Sequence, residues 1–469
     1  MGQIKSMELF EEYAFKMMEK HYIPGVGIGI NKEGKRLYEQ DFGFRDVEKK
    51  LPVNADTVFG IASMTKSFTC VAIMQLQELG KLSVHDKVIK YLPDFRTADL
   101  EKTKEITIHH LMTHTAGLPP ISTHVYARKR SIDQDPSAKD YGLDLVNHPG
   151  AAIDTYEEML DFIVGLDVKL LGDPGTAYSY SNDSFGLLGI IVSRVSGQAY
   201  EEYVTEHILQ PANMQNSFFD ITNIDTLDNI TTLYAAKHST DGVEVYAAPL
   251  WWDAPSMRAV GYLKSSVNDI LKFLEIFRNN GVVGEERILT SESVDQMIYP
   301  HVEFEKGRFY GYGLRIIPDY FGTTFINHGG GLKGVSSFMG VIPEKGLSGV
   351  ILSNLSDVPT DKLLMGAINV LEDREASATH LHFECYHMPE EDFIPFVGIY
   401  KSGEGMKVVV KVVNNQLAII SGVTISPLRC IGENLFIVNE EDRIQFLPDQ
   451  TGVIDRIFYA SRQILKVVE

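Results

Sequence analysis

Two side chains set three positions apart, Ser63 and Lys66 in the run Ser63-Met64-Thr65-Lys66, are the residues of this sequence best placed to do chemistry together. On a helix, residues at i and i+3 share a face with Cβ atoms about 5–6 Å apart, so the amine reaches the hydroxyl. A serine hydroxyl is a weak nucleophile until a base takes its proton. A lysine is such a base only when burial or charged neighbours lower its pKa. A helix start would also supply free N–H groups and positive potential where an oxyanion develops. Alone the pattern says little, because a chain of this length holds about one or two such spacings by chance.

The elements around the pair decide its weight. Gly25 to Asn31 alternates small and branched residues, turns at Lys32 to Lys35 and resumes from Arg36 to Phe42, which predicts a β-hairpin. After Ser63 the period changes: Phe68, Val71, Ala72, Met74 and Leu76 fit a helix that stops at Gly80. Ser63 is therefore expected at a strand-to-helix junction. Residues 100 to 280 are mostly helical in period, with polar interruptions at Ile121 to Gly150 and Asp220 to Arg258, lengths that in a compact domain serve a site or move. Strand patterns return at Thr324 to Asn327, Val335 to Ile342 and Ser348 to Ser353, and a helix is expected over Asp361 to Leu371.

The predicted fold class is thus α/β in the α+β sense: one antiparallel sheet built from both ends of residues 1–378, flanked by helices. A polar linker with His380, His382 and Glu384 follows, and residues 390–469 read as a separate all-β barrel or sandwich. Its expected strands are Phe396 to Tyr400, Lys407 to Val413, Gln416 to Ile420, Leu435 to Val438, Ile444 to Leu447 and Ile454 to Tyr459.

Bulk properties exclude several classes. Lys and Arg number 43 against 63 Asp and Glu, a net charge of −20 that repels nucleic acid and acidic membranes. The one basic run, Ala127-Arg128-Lys129-Arg130, reads as a solvated loop. Cys70, Cys385 and Cys430 show neither metal-ligand nor redox spacing, and Cys70 is expected in the core, so neither a disulfide framework nor a metal or cofactor is expected. No signal-like or membrane-spanning apolar stretch is found, which predicts a cytoplasmic protein.

Wider context gives the Ser63 pattern its meaning. Phe59-Gly60-Ile61-Ala62-Ser63-Met64-Thr65-Lys66 resembles the nucleophile region of the serine β-lactamase and penicillin-binding-protein family, class C β-lactamase-like, with esterase and D-aminopeptidase relatives. Leu111-Met112-Thr113-His114-Thr115-Ala116-Gly117-Leu118, then Pro174-Gly175-Thr176 leading to Tyr180-Ser181-Asn182, then His328-Gly329-Gly330, look like further family motifs in the family's order across residues 20 to 370. The C-terminal part resembles the lipocalin-like domain appended to some members. The resemblance implies Ser63 as nucleophile, with Lys66 and Tyr180 sharing proton transfer. It also implies that Asn182 binds the substrate amide and Lys66, and that Gly331 N–H completes an oxyanion hole with Ser63 N–H. His328, Gly329 and Gly330 form the opposite wall. His114 is expected to be structural. Trp251 and Trp252 would line the cleft or pack in the core.

One departure directs the functional expectation. Many family members carry Lys-Thr-Gly where this chain has His328-Gly329-Gly330, and the lysine charge and threonine hydroxyl suit a substrate carboxylate. A mostly neutral imidazole and a glycine do not replace them. The expectation is a serine hydrolase acting on amides or esters, chiefly D-aminoacyl peptides, amides or small esters. The alternatives are a D-Ala-D-Ala carboxypeptidase or β-lactamase and a catalytically silent penicillin-binding or sensor protein. Expected partners are small-molecule or short-peptide substrates, β-lactams as acylating ligands, and further copies in a homo-oligomer.

Overall fold

The computed structural model describes residues 2–141, 150–239, 242–421, 424–438 and 442–467. The alternation at the start of the chain makes β1 (Gly25–Lys32) and β2 (Lys35–Asp46), followed by the short β3 (Leu51–Pro52). Six strands from much later join them: β4 (Val302–Glu305), β5 (Arg308–Tyr310), β6 (Arg315–Tyr320), β7 (Thr323–Leu332), β8 (Val335–Ile342) and β9 (Leu347–Ser353). The nine-stranded sheet runs β4-β5-β6-β7-β8-β9-β1-β2-β3. Its two halves meet where β1 pairs antiparallel with β9, Ile28 opposite Ile351.

Helices cover both faces. The ones that matter for the site are α1 (Gly2–Lys20), α2 (Thr65–Glu78), α3 (Asn182–Ser196), α4 (Val267–Arg278) and α5 (Thr360–Leu371). α1 and α5 bury one sheet face around Phe10, Ile28, Phe338 and Leu364. α2, α3 and α4 build the larger core on the other face around Phe68, Cys70, Phe185 and Phe273. Side chains alternate along β7, so His328 shares the face of Ile326, on the side of α2, α3 and α4, while Asn327 and Gly329 share the face of Phe325, on the side of α1 and α5. Among the described residues no helix is long and apolar enough to cross a membrane.

After the linker, eight antiparallel strands close into a barrel: β10 (Gly398–Lys401), β11 (Lys407–Val413), β12 (Gln416–Ser421), β13 (Thr424–Gly432), β14 (Leu435–Val438), β15 (Asp442–Pro448), β16 (Ile454–Tyr459) and β17 (Arg462–Val467). Tyr400, Val410, Phe436, Ile444, Phe446 and Ile457 fill its interior, as expected for a barrel this small. β13 and β17 go beyond the strands expected from sequence. β13 carries Pro427 and several exposed residues, and β17 opens on Arg462 and Gln463, so neither shows an apolar alternation over its length.

The two interruptions expected to be irregular contain short elements. The first holds helices Thr123–Ala127 and Lys129–Gln134, and its residues 142–149 lie outside the described residues. The second holds the hairpin Tyr234–Ser239 with Gly242–Ala247.

Candidate active site

The chain reaches Ser63 under constraint. Phe59–Gly60 pairs with Lys264–Ser265, and the backbone then passes through Ala62 at φ 46°, a left-handed conformation costly for a residue with a Cβ. A 3-10 turn, Ala62–Met64, leads directly into α2. The surroundings fix this kink: Thr65 Oγ1 donates to Ala62 O (2.7 Å), and Gly330 of β7 lies against it. A Cβ on Gly330 would sit 2.4 Å from Ile61 O and 2.8 Å from Ser63 N, so only glycine lets β7 approach the nucleophile turn this closely.

Lys66 is fully buried on the first turn of α2. Its Nζ lies 3.2 Å from Ser63 Oγ, 2.9 Å from Asn182 Oδ1 and 2.7 Å from Val260 O. A neutral amine has two N–H bonds and one lone pair. The two carbonyl oxygens take both N–H bonds, and the lone pair is left for the Ser63 hydroxyl. Burial pushes the Lys66 pKa down, the Tyr180 phenol and Glu404 pull it up, and Arg462 pushes it down again, with a net lowering.

Tyr180 stands beside this pair. Its ring centroid is 4.9 Å from Lys66 Nζ and 4.3 Å from the His114 ring. His114 is buried, and its Nδ1 accepts from the N–H of Ser181, whose own hydroxyl caps α3 by accepting from Ser184 N. Burial and the charge of Lys66 hold His114 well below the usual imidazole range, so it shapes the Tyr180-Ser181-Asn182 turn as a neutral ring. His328 is buried too. Its Nδ1 donates to Gly329 O (2.7 Å) and its Nε2 accepts from Tyr310 OH (3.0 Å). Burial, Arg315 and Lys66 hold it well below the usual imidazole range, so the motif on β7 contributes no charge.

The cleft over Ser63 has a volume of about 410 Å³ and is walled by Ser63, Asn182, Gly331, Arg128, Glu404 and Arg462 among others. His328, Gly329 and Gly330 support this wall from behind and do not line it. Gly331, at the open end of the motif, does. Glu404 and Arg462 come from the barrel and were not legible as site residues in the sequence. Glu404 Oε1 accepts from Asn182 Nδ2 (2.8 Å), and its Oε2 accepts from Arg462 Nε (2.6 Å). The β10–β11 loop that carries Glu404 docks through Gly403 N–H to Pro120 O (2.9 Å), and a Cβ on Gly403 would lie 2.8 Å from that oxygen. The β16–β17 turn is bonded to the Tyr180 motif: Tyr180 N–H donates to Ser461 O (2.8 Å) and Gln463 N–H to Ser179 Oγ (3.2 Å). The available signal was a charged residue between two glycines, Gly403-Glu404-Gly405, in an otherwise ordinary hairpin turn.

Other expected residues fall as follows. Cys70 is buried in the core. Trp252 is buried, with its Nε1 donating to Asp135 (2.7 Å), while the half-buried Trp251 packs near Ala62 and Val335. Arg128, read as part of a solvated run, lies in the cleft wall. Among the described residues no group of His, Cys, Asp and Glu is arranged to hold a metal ion.

The chain is similar to several known proteins. The family model Beta-lactamase matches residues 10–369. Protein flp of Staphylococcus aureus (strain MW2) is 27% identical over 366 residues, 74% of this chain and 63% of its own length, so this chain spans less than two thirds of that curated relative. The octameric penicillin-binding protein homologue from Pyrococcus abyssi superposes with a TM-score of 0.69 at 28% identity, covering 97% of this chain and 99% of that one. SurE superposes with a TM-score of 0.70 at 18% identity over 99% of both chains, a likeness of fold.

Proposed function

This chain belongs to the beta-lactamase family, and from that premise we propose that it is a serine hydrolase that cleaves amides or esters of small substrates, chiefly D-aminoacyl peptides, amides or esters, through an acyl-enzyme on Ser63. The observation that carries the reading is the Lys66 amine, held by two carbonyl oxygens 3.2 Å from Ser63 Oγ, so that once it loses a proton its lone pair is left for that hydroxyl. Ser63 Oγ attacks the substrate carbonyl as Lys66 takes its proton, and the oxyanion is held by the N–H groups of Ser63 and Gly331. Tyr180, coupled to Lys66, passes the proton to the leaving group as the scissile bond breaks. Water then attacks the acyl carbonyl, giving up its proton through the same pair, and Ser63 Oγ leaves with a proton restored. Asn182 holds Lys66 and presents its amide to the substrate.

Substrate size follows from the barrel. In this reading residues 1–378 form the catalytic unit and 390–469 a lid-bearing unit, whose Glu404 and Arg462 close the cleft to a long polymer while leaving room for a small molecule. A homo-oligomer accords with the octameric homologue.

Intact-protein mass spectrometry tests the proposal. A fluorophosphonate should add one adduct to the wild type and none to Ser63→Ala, and a persistent adduct on the variant would overturn the assignment. A panel of nitrocefin, p-nitrophenyl esters and D- versus L-aminoacyl p-nitroanilides then ranks the substrate classes. Turnover confined to nitrocefin would remove the D-aminoacyl reading.

A further inference from the structure

Arg128 occupies the junction between helices Thr123–Ala127 and Lys129–Gln134. Its two neighbours in the basic run are neutralised on the surface: Lys129 Nζ meets Asp133 (3.0 Å) and Arg130 grips Asp154 through Nε (2.7 and 2.8 Å) and Nη2 (2.7 Å). Arg128 meets no carboxylate among the described residues. Its Nε donates to His124 O (3.0 Å), and both terminal nitrogens are left over. The guanidinium carbon lies 5.5 Å from the Trp252 ring, which is itself held by Asp135, so the group rests against a fixed surface, and Arg128 forms part of the wall of the cleft that contains Ser63.

Shortage of acids does not explain the missing partner, since the chain carries 20 more acidic than basic residues. The one carboxylate among the described residues of the cleft wall, Glu404, is already held by Arg462 and Asn182. The nearest titratable neighbour, His124, is kept neutral by burial and by Arg128 itself, and binds Tyr262 OH through Nε2 (2.8 Å). Among the described residues the cleft thus presents one cation without a counter-ion. With both terminal nitrogens free, the guanidinium still offers the edge between them, two parallel N–H bonds that match a carboxylate bidentately.

Position selects which half of a substrate would carry that carboxylate. Tyr180 contacts His114, His328 and Arg462, whereas Arg128 contacts His124 and Trp252, and through His124 reaches Tyr262; the two sets share no residue. If Tyr180 protonates the leaving group, that group departs on the Tyr180 side. We propose that Arg128 binds a carboxylate on the acyl half of the substrate, so that the acyl groups preferred by this cleft are acidic, such as an acidic D-aminoacyl group. This rests on the Ser63 acyl-enzyme reading and narrows its substrate class.

The isosteric pair D-glutamyl and D-glutaminyl 4-nitroanilide differs only in that charge. In wild-type protein at low salt kcat/KM should favour the D-glutamyl compound by about tenfold, the value of one charge-assisted contact. Arg128→Gln should collapse the ratio towards one, and Arg128→Lys should restore part of it. A readout independent of turnover uses the tryptophan fluorescence of Ser63→Ala protein titrated with glutarate, which should report saturable binding that Arg128→Gln abolishes. A ratio near one in the wild type, or a glutarate titration indifferent to Arg128→Gln, overturns the proposal and leaves the Ser63 reading standing. Turnover that survives in Ser63→Ala overturns that reading instead, and the titration alone then decides Arg128.

Discussion

Two cations stand over the ring of Tyr180, each 4.9 Å from its centroid, and the protein treats them in opposite ways. Lys66, from α2, is solvated by a hydroxyl and two carbonyl oxygens and has no carboxylate in contact among the described residues, so burial lowers its pKa and it can lose its proton. Arg462, from the barrel, suffers the same burial, but Glu404 and the Tyr180 phenol more than offset it, and its charge is permanent. Dipoles around one cation and an ion pair around the other give a single phenol one neighbour that titrates and one that does not. Asp183, next to Asn182 on α3, is a third case: it is buried, neither of its oxygens meets a donor in hydrogen-bonding geometry, and burial pushes its pKa up to about 7.

The contrast between the cations breaks most sharply on exchange of side chains. Lys66→Arg keeps the charge and removes the ability to lose a proton, so acylation measured by fluorophosphonate labelling should fall by roughly 10³–10⁴-fold, as when a member of a catalytic unit is removed. Arg462→Lys keeps a charge that only needs to be fixed, and a loss of under about tenfold is expected. Equal losses would mean that both cations do the same work.

Glu404→Gln removes the charge that distinguishes the barrel side. Arg462 loses its counter-ion, and kcat/KM should drop by about tenfold. The pH profile sharpens the comparison further. Neutral Lys66 accumulates as pH rises, so the acylation rate should climb to a plateau with its midpoint below that of an ordinary lysine. Glu404 raises the Lys66 pKa and Arg462 lowers it; Glu404→Gln should therefore move the midpoint down, and Arg462→Gln should move it up. Shifts of the same sign would sink the electrostatic account.

The smallest effect concerns Asp183. Folded, it keeps its proton up to about pH 7, whereas unfolded it releases it near pH 3.9. Between those values the folded state binds more protons, so this carboxyl costs stability increasingly as pH rises through that window. Asp183→Asn should raise Tm at pH 8 by a few degrees and change little at pH 4, as read by differential scanning fluorimetry.

Legibility in the sequence followed the range of the contacts. Ser63 and Lys66 share one turn of a helix, so spacing paired them; the structure brings them together with Tyr180 and Asn182, which the family motifs marked. His328-Gly329-Gly330 was visible for the same reason, although its histidine supports the wall from behind. Glu404 and Arg462 act across the domain boundary, where periodicity leaves no trace and the only local signal is the charged residue in Gly403-Glu404-Gly405. Arg128 was misread because a basic run looks the same whether its charges face water or a cleft. In the barrel, strands with alternating apolar residues were legible, while β13 and β17 are held mainly by their neighbours' hydrogen bonds.

The pairing of Tyr180 N–H with Ser461 O and of Asn182 with Glu404 also sets a schedule for synthesis. Glu404 follows Asn182 by 222 positions, a lag of roughly 11–44 s on a ribosome moving at about 5–20 residues per second. Through that interval the nascent chain carries its nucleophile without the residues that close the cleft, and the site reaches its final form only when the barrel has folded onto it.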